Sequence, residues 1–292
     1  MSVNTIVEAH PRAYVDPELS AKLDAVWYIQ TFTHETLPEV RKKLKAKFES
    51  INKQFTIPRT KRTIPSLYPG APEIGVYIYY PPGVDSSEEN IKNLSLPCVL
   101  KIHGGGYVLN DAVYDESFTW HCCQASNAVF VAVDYRLCPE TSYPGPVQDC
   151  FSALAWIFRN AAEIGVDDTH ISIQGESAGG GLAASLALWT RDHTEFSNGQ
   201  PFPIRSQFLI FPMINYMVGR EGYNDLSDND KDKSSESLVV KDEEPDNLHL
   251  AHQVESTYDI SASNPYTGGV IWDRACNRFG WDSMRGDQVM DA

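Results

Sequence analysis

The sequence predicts an α/β fold in which a mainly parallel sheet is flanked by helices. Two short apolar runs, 98–102 and 129–133, have the length and β-branched content of strands that are buried on both faces. Segments of helix length alternate with such runs further along the chain, and this alternation favours right-handed crossovers and parallel pairing. A chain of 292 residues with 42% hydrophobic side chains can build one large domain of this kind with a sizeable core.

The expected elements follow one another in a simple order. Residues 16–55 have apolar side chains at helical spacing, and the basic run from Arg41 to Lys47 is most simply a solvent-exposed helix face. The predicted strands are 74–80, which ends at a Pro-Pro-Gly turn, 98–102, 129–133, 171–173 and 206–211. The predicted helices between and after them are 145–162, 177–192 and 270–284. Residues 220–246 are dense in Asp, Glu, Ser, Asn and Lys, which predicts an exposed and mobile insert.

The composition argues against several classes of protein. An excess of 39 acidic over 24 basic side chains gives a net charge of −15, which repels phosphate backbones and anionic lipid surfaces, so no nucleic-acid partner is expected. The N-terminus lacks a signal-peptide pattern and no run approaches the length of a membrane span, so we expect a cytoplasmic protein. The six cysteines lie mostly in apolar runs without a Cys-x-x-Cys pair, and we expect reduced, buried thiols. No metal site is expected either: the run from Asp228 resembles a calcium loop, but Lys233 replaces the required glycine.

Ser177 is the first candidate site residue. It lies at the centre of Gly175-Glu176-Ser177-Ala178-Gly179, directly after a predicted strand and at the start of a predicted helix. So tight a turn between strand and helix needs glycines for backbone clearance, and it pushes the serine hydroxyl outward. The helix N-terminus favours the negative charge that develops during acyl transfer. The pattern therefore predicts a nucleophilic serine.

A glycine run supplies the second part of the candidate site. His103-Gly104-Gly105-Gly106 comes directly after a predicted strand. Consecutive glycines leave backbone N–H groups uncovered, and an acyl-transfer enzyme needs such donors to hold the oxyanion of its tetrahedral intermediate. We expect the amides of Gly104, Gly105 and Ala178 to form this oxyanion hole, each contributing about 3 kcal/mol in the transition state. A flexible glycine turn with a capping histidine is the alternative.

Together these motifs resemble those of the hormone-sensitive-lipase-like branch of the α/β-hydrolases, a group of esterases marked by His-Gly-Gly-Gly and Gly-Asp-Ser-Ala-Gly-Gly. The segment Asp-Tyr-Arg-Leu-Cys-Pro-Glu at 134–140 is similar to the Asp-Tyr-Arg-Leu-Ala-Pro-Glu segment of that family. Glu176 stands where Asp is commoner, and Cys138 where Ala is usual. The resemblance covers roughly residues 60–215 and implies an α/β-hydrolase fold with a helical cap.

The resemblance also implies a division of the chain. The expected parts are an N-terminal helical cap part at 1–55, an α/β-hydrolase core at 56–215, and a second cap part with the acidic insert at 216–292. A cap of this family covers the active site and shapes its pockets. Trp27, Tyr28, Phe32 and Tyr107 are then candidates for the pocket wall, although each fits a plain core position as well.

Two further residues that the resemblance implies are not visible in the chain. A serine hydroxyl is a poor nucleophile until a histidine, held by a carboxylate, accepts its proton. In the family the acid lies in an Asp-Pro-Leu-x-Asp-like segment and the histidine in a His-Gly-Phe-like segment, and this sequence contains neither. His193 lies at the far end of the helix that Ser177 begins, about 24 Å away by helix rise. His249 and His252 have no family counterpart, so no general base is assigned.

Three explanations stay open for this departure: a truncated or mis-spliced chain, an inactive remnant, or a fold completed by a partner. A sheet without its last strands would expose an apolar edge, and such an edge favours oligomerisation. Asn110 and Asp111, after the glycine loop, either steer a substrate or form a turn.

The expected function is that of a serine hydrolase of carboxylesterase type, without a cofactor. It would act on an ester, lactone or acetyl group of a small hydrophobic substrate, in detoxification or in specialised metabolism. The alternative is a non-catalytic binder of small molecules, because plant gibberellin receptors resemble the same branch and lack the catalytic histidine.

Overall fold

The structure is a computed structural model that describes residue 18 and residues 33–85, 87–215 and 274–286. The chain divides into two compact units, one made of Met1–Thr31 and Met217–Arg278 and the other of Phe32–Tyr216 and Phe279–Ala292. All described strands belong to the second unit. The first helix expected within 16–55, apart from residue 18, lies outside the described residues, as do the insert at 220–246, the calcium-like run from Asp228, His249 and His252.

The described elements alternate between strands and helices over most of the second unit. The strands are β1 (Thr60–Ile64), β2 (Ile74–Tyr79), β3 (Leu96–Ile102), β4 (Val129–Asp134), β5 (Val166–Glu176) and β6 (Gln207–Ile210). The α-helices are α1 (Leu37–Asn52), α2 (Glu88–Ile91), α3 (Glu116–Ser126), α4 (Gly145–Arg159), α5 (Ala178–Asp192) and α6 (Arg274–Arg285). Within the described ranges, no helix is long and apolar enough to cross a bilayer.

The strands form one six-stranded sheet in the order β1-β2-β4-β3-β5-β6. The pairs β3 with β4, β3 with β5, and β5 with β6 are parallel, whereas β1 and β2 join antiparallel at one side. The predicted α/β fold with a mainly parallel sheet is therefore confirmed. In the register of the parallel strands, Ile102 at the end of β3 lies opposite Gly175 on β5. The residues that follow β3 and β5 consequently emerge at the same edge of the sheet.

The core lies on both faces of the central strands. Phe130 and Ala132 of β4 pack with Cys123 of α3 on one face, while the alternate residues Val131 and Val133 point to the other. Helix α4 contacts the four strands β2 to β5, and α5 packs on β5 and β6. Because both faces of the sheet are covered, the central strands carry near-continuous apolar runs, as the sequence predicted.

The element bounds differ from the predicted ones in detail. Strand β5 is much longer than the predicted 171–173, and α4 ends three residues before the predicted 162. The amphipathic helix predicted at 270–284 is confirmed from residue 274 onward as α6, and residues 270–273 lie outside the described residues. All six cysteines lie within the described residues and none forms a disulfide; all but the partly exposed Cys122 are buried, as expected.

The basic run on α1 is solvent-exposed only in part. Lys42, Lys43 and Lys45 are exposed as predicted. The prediction is wrong for Arg41, whose side chain is 24% exposed and forms hydrogen bonds with two other segments. Helical periodicity places Arg41 at the border of the buried face, next to Leu44, but it does not show what the side chain meets there.

The outer edge of β6 carries exposed apolar side chains. Among the described residues β6 pairs with β5 alone. Phe208 is 58% exposed, Leu209 36% and Phe211 73%. The expected exposed apolar edge of the sheet is thus confirmed for the part of the chain that the structure describes.

Candidate active site

Ser177 occupies a sharp turn between β5 and α5. Its backbone has φ 52° and ψ −119°, a conformation that non-glycine residues rarely adopt. Three hydrogen bonds hold it there: the Ser177 N–H donates to the Ile210 carbonyl at 2.9 Å, and the Ser177 carbonyl accepts from the amides of Gly181 at 3.0 Å and Met213 at 2.9 Å. Strained backbone of this kind persists only where the surroundings over-determine it, and it is concentrated at functional sites.

The two flanking glycines are required by close backbone contacts. A Cβ on Gly175 would overlap the carbonyl oxygen of Gly179, and a Cβ on Gly179 would overlap the carbonyl oxygens of Ile102 and His103. The predicted need for backbone clearance is therefore confirmed. Gly179 also brings the first turn of α5 directly against the end of β3, where the glycine loop begins.

The glycine loop after β3 is a compact turn. Gly105 and Gly106 have φ values of 120° and 59°, and the amides of Val108 and Leu109 donate to the Gly105 carbonyl at 3.1 and 2.9 Å. A Cβ on Gly104 would lie 3.0 Å from the carbonyl oxygen of Glu176. The structure thus brings the loop against the residue that precedes Ser177.

His103 is buried beneath this loop. Its Nδ1 lies 2.8 Å from the Gly104 carbonyl, so Nδ1 carries the proton and donates. The ring stacks on Tyr135 with centroids 4.1 Å apart, and the Tyr135 hydroxyl donates to the His103 carbonyl at 2.9 Å. Burial lowers the pKa of His103 to about 4, so the ring is neutral near pH 7. Its position fits a role in supporting the loop.

The segment 134–140 fixes the loop from the other side. The Cys138 amide donates to the Tyr107 carbonyl at 2.9 Å. Arg136 donates from its backbone N–H and from its guanidinium to Asp149, which is fully buried on α4, at 2.8 to 2.9 Å. The sequence identified this segment by resemblance alone, and the hydrogen bonds supply its physical role.

Asn110 and Asp111 form a turn. The Asn110 side chain donates to the Gly104 carbonyl at 3.3 Å, and its backbone φ is 73°. The Asp111 carboxylate accepts from the Val113 amide at 3.2 Å, as in an Asx turn. Of the two alternatives for these residues, the turn is the one that these contacts support.

A general base for Ser177 is not found among the described histidines, none of which is hydrogen-bonded to the Ser177 hydroxyl. His193 lies at the far end of α5, as its place in the sequence predicted, and its ring stacks on Trp189 with centroids 4.0 Å apart. His103 is committed to the Gly104 carbonyl.

An apolar cavity of about 600 Å³ lies beside α5. Its wall includes Tyr107 of the glycine loop, Gly181 and Ser185 of α5, and Met213 and Trp281. Tyr107 donates its hydroxyl to the Met213 carbonyl at 3.1 Å and its ring lies 5.2 Å from that of Trp281. The cavity therefore adjoins the backbone that holds Ser177.

The sequence predicted only one wall residue of this cavity, Tyr107. The other candidates, Trp27, Tyr28 and Phe32, lie outside the described residues. Met213 and Trp281 were missed, because no local pattern links positions that distant in the chain. The spacing of Gly181 and Ser185, which places both on one face of α5, was the one available signal.

Comparison with known proteins agrees with this geometry. A family model described as alpha/beta hydrolase fold matches residues 99–265. The chain belongs to the alpha/beta-hydrolase fold family. The match includes the glycine loop and Ser177, and the predicted α/β-hydrolase fold is confirmed.

Several relatives of this alpha/beta-hydrolase are named esterases. Esterase LipI of Mycobacterium tuberculosis is 33% identical over 205 residues, which is 70% of this chain and 58% of LipI. Carboxylesterase NlhH of the same organism is 37% identical over 145 residues, 50% of this chain and 41% of NlhH. The solved structure of a bacterial heroin esterase superimposes with a TM-score of 0.66 at 25% identity, covering 94% of this chain and 69% of that one. The chain thus spans 58% or less of the length of LipI and NlhH.

Proposed function

We propose that this alpha/beta-hydrolase is a carboxylic ester hydrolase with Ser177 as its nucleophile. The observation that carries the proposal is the contact between the strained turn at Ser177 and the glycine loop, which packs against it through Gly104 and Gly179. The esterase names of the relatives support the same reaction class.

In the proposed reaction, the Ser177 Oγ attacks the carbonyl carbon of an ester, lactone or acetyl group. The carbonyl oxygen becomes an oxyanion, and the amides of Gly104, Gly105 and Ala178 are proposed to donate to it, each contributing about 3 kcal/mol. The N-terminus of α5 adds a favourable dipole. The alcohol leaves, and water then hydrolyses the acyl-serine. A proton acceptor for Oγ is also required; no described residue is assigned to it.

A phosphonate label tests the nucleophile. Treatment with a 4-nitrophenyl alkylphosphonate should give one covalent adduct on Ser177, detected by mass spectrometry of peptides. The adduct should be lost in Ser177→Ala and retained in Ser126→Ala, a matched change at an exposed helical serine. Protein that takes up no label would exclude an activated serine.

The substrate is proposed to carry an apolar arm that enters the cavity beside α5. A volume of about 600 Å³ is in the range of small-molecule sites, and the aromatic rings of Tyr107 and Trp281 form its wall. Gly181, one helical turn after Ser177, brings the cavity to within about 6 Å of the nucleophile's backbone.

Filling the cavity beside α5 tests whether the apolar arm of the substrate enters it. Ser185→Phe places a ring in the cavity from an exposed helical position, and it should lower kcat/KM for 4-nitrophenyl octanoate relative to the acetate about tenfold. Gln124→Phe on α3, an equally exposed position away from the cavity, should leave this ratio unchanged. An unchanged ratio in Ser185→Phe would place the apolar arm elsewhere.

A non-catalytic binder of small apolar molecules is the second candidate. It is favoured by a formed cavity in a chain whose described histidines do not bond to Ser177. Calorimetric titration with 2-decanone, which has no leaving group, separates the two functions: saturable binding without phosphonate labelling supports the binder.

The remaining expectations stay proposals. These are the cap formed by residues 1–55 and 216–292 around the core at 56–215, association of two copies through the β6 edge, a cytoplasmic location, and a role in detoxification or specialised metabolism.

A further inference from the structure

Arg41 on α1 connects three segments of the chain. Its Nε donates to the Val108 carbonyl at 2.7 Å, and one Nη donates to the Cys138 carbonyl at 2.6 Å. The two Nη atoms also bind the Glu140 carboxylate at 2.6 and 2.9 Å. Four hydrogen bonds from one planar guanidinium fix its orientation and that of its acceptors.

The two carbonyl acceptors belong to segments that hold the glycine loop. Val108 donates its own amide to the Gly105 carbonyl at 3.1 Å, so the two peptide groups on either side of the Val108 Cα are both hydrogen-bonded. Cys138 donates its amide to the Tyr107 carbonyl at 2.9 Å while its carbonyl accepts from Arg41. Tyr107 has φ 68°, a strained conformation that needs such contacts on several sides.

We infer that Arg41 is a positioning residue for the glycine loop, acting through the Val108 and Cys138 carbonyls. The inference rests on the proposed function, since it assigns the loop its role in holding an oxyanion. By fixing the peptides at 107 and 108, Arg41 limits the rotation of the glycines before them, and with it the direction of the Gly104 and Gly105 amides. Helix α1 thereby becomes part of the support of the site.

The carbonyl contacts matter more for this role than the ion pair. Glu140 has a side chain that is 60% exposed, and an ion pair to so exposed a carboxylate contributes little. The carbonyl contacts are part-buried and need donors in two directions at once. A lysine ammonium on a flexible stem lacks the planar fork that satisfies both.

The test compares Arg41→Lys and Arg41→Ala with Lys45→Ala. Lys45 lies one turn further along the same helix, is 65% exposed and approaches Asp111 no closer than 3.8 Å, so its removal controls for loss of positive charge on α1. In Arg41→Lys we expect kcat for 4-nitrophenyl acetate to fall about tenfold with KM changed less than about twofold, because the interaction acts on the transition state. Lys45→Ala should match the wild type.

Two further measurements separate positioning from general destabilisation. Added methylguanidinium should restore part of kcat in Arg41→Ala and should leave kcat of Lys45→Ala unchanged. Hydrogen exchange at the Val108 and Leu109 amides should be about tenfold faster in Arg41→Lys, with exchange in β4 unchanged.

The outcomes distinguish this inference from the proposed function. If the wild type labels at Ser177 and hydrolyses esters, but Arg41→Lys matches it in kcat and in amide exchange, the positioning role is overturned and the esterase proposal stands. If the wild type neither labels nor turns over, the esterase proposal fails. Faster loop exchange in Arg41→Lys would then still support the link between α1 and the loop.

Discussion

His103 shows how burial and one hydrogen bond set the chemical state of a side chain. The ring lies between Tyr135 and the glycine loop, and its Nδ1–H donates to the Gly104 carbonyl. A charged imidazolium at this buried position would lack water, so the neutral form is favoured. The loop is therefore supported by a group whose protonation competes with folding.

This competition predicts a pH dependence of stability. The unfolded chain protonates this histidine near its ordinary pKa of 6.5, whereas in the folded protein the pKa is lowered to about 4. Between these values the unfolded state binds more protons, so the free energy of unfolding decreases as pH falls from 6.5 to 4, by up to about 3 kcal/mol. Urea unfolding at several pH values should show a smaller decrease in His103→Asn than in the wild type. Equal decreases would contradict the buried neutral ring.

Gly179 gives a second prediction at the residue scale. A Cβ there would overlap two carbonyl oxygens at the end of β3, both of them backbone atoms that cannot rotate away. Gly179→Ala should therefore lower the free energy of unfolding by at least about 2 kcal/mol in urea titrations. Gly75→Ala on β2 is the control, since a Cβ there meets only Asp134 side-chain atoms at 3.5 Å or more, an ordinary contact. Similar losses in both variants would argue against the close approach.

The roles of the residues around the site differ in how far the sequence alone can predict them. The motif around Ser177 was predictable because its steric demand admits only glycine at two fixed positions. The role of Arg41 was not, because a helical pattern reports which face is exposed and gives no information on long-range acceptors such as the Cys138 carbonyl. The residue roles at the oxyanion hole stay predictions until the variants are measured.

Among the elements, α4 supports the site through a single buried carboxylate. Asp149 accepts the backbone N–H and two guanidinium hydrogen bonds of Arg136, and so anchors the segment that in turn holds Tyr107. The segment between β4 and α4 is therefore held to the start of the helix that it precedes.

Removal of the Asp149 charge should lower the free energy of unfolding. Asp149→Asn replaces the buried carboxylate with a neutral amide that cannot pair with the guanidinium, and we expect a loss of about 3 kcal/mol in the free energy of unfolding. Asp192→Asn removes the partner of Arg191 at an exposed position and should leave the urea midpoint unchanged. If both variants unfold at the wild-type midpoint, the buried pair does not stabilise the segment.

The central strands were easier to predict from the sequence than helix α3. The central strands are covered on both faces, so they carry near-continuous apolar runs that can be recognised without periodicity. Helix α3 was not predicted, because its buried face consists of Glu116, Thr119 and Cys123, which do not form an apolar stripe. Its burial depends on partners supplied by tertiary structure, among them Arg59 and Tyr79, which both contact Glu116.

At the scale of the whole molecule, the exposed edge of β6 is the feature that most affects behaviour in solution. Two such edges can pair antiparallel around a two-fold axis, because each presents the same surface to the other. The exposed rings of Phe208 and Phe211 would then be covered in both copies.

Light scattering over a range of concentrations tests this association. The wild type should show a mass that rises with concentration, and Phe208→Lys should shift the midpoint of association at least about tenfold, because a charge at the edge opposes pairing. Ile51→Lys, a comparable change at a 37% exposed site on α1, should behave as the wild type. A monomer at all concentrations in every variant would exclude the edge as a contact.

The hydrogen bonds around Ser177 affect which parts of the chain can change over evolutionary time. The turn is tied to Ile210 and Met213, so the backbone partners that the described residues give it are supplied by the chain before residue 215. Insertions and replacements beyond that point leave the residues that form these hydrogen bonds in place. A lineage can therefore remodel the later part of the chain, where recognition of different molecules is acquired, while the serine keeps its inherited geometry.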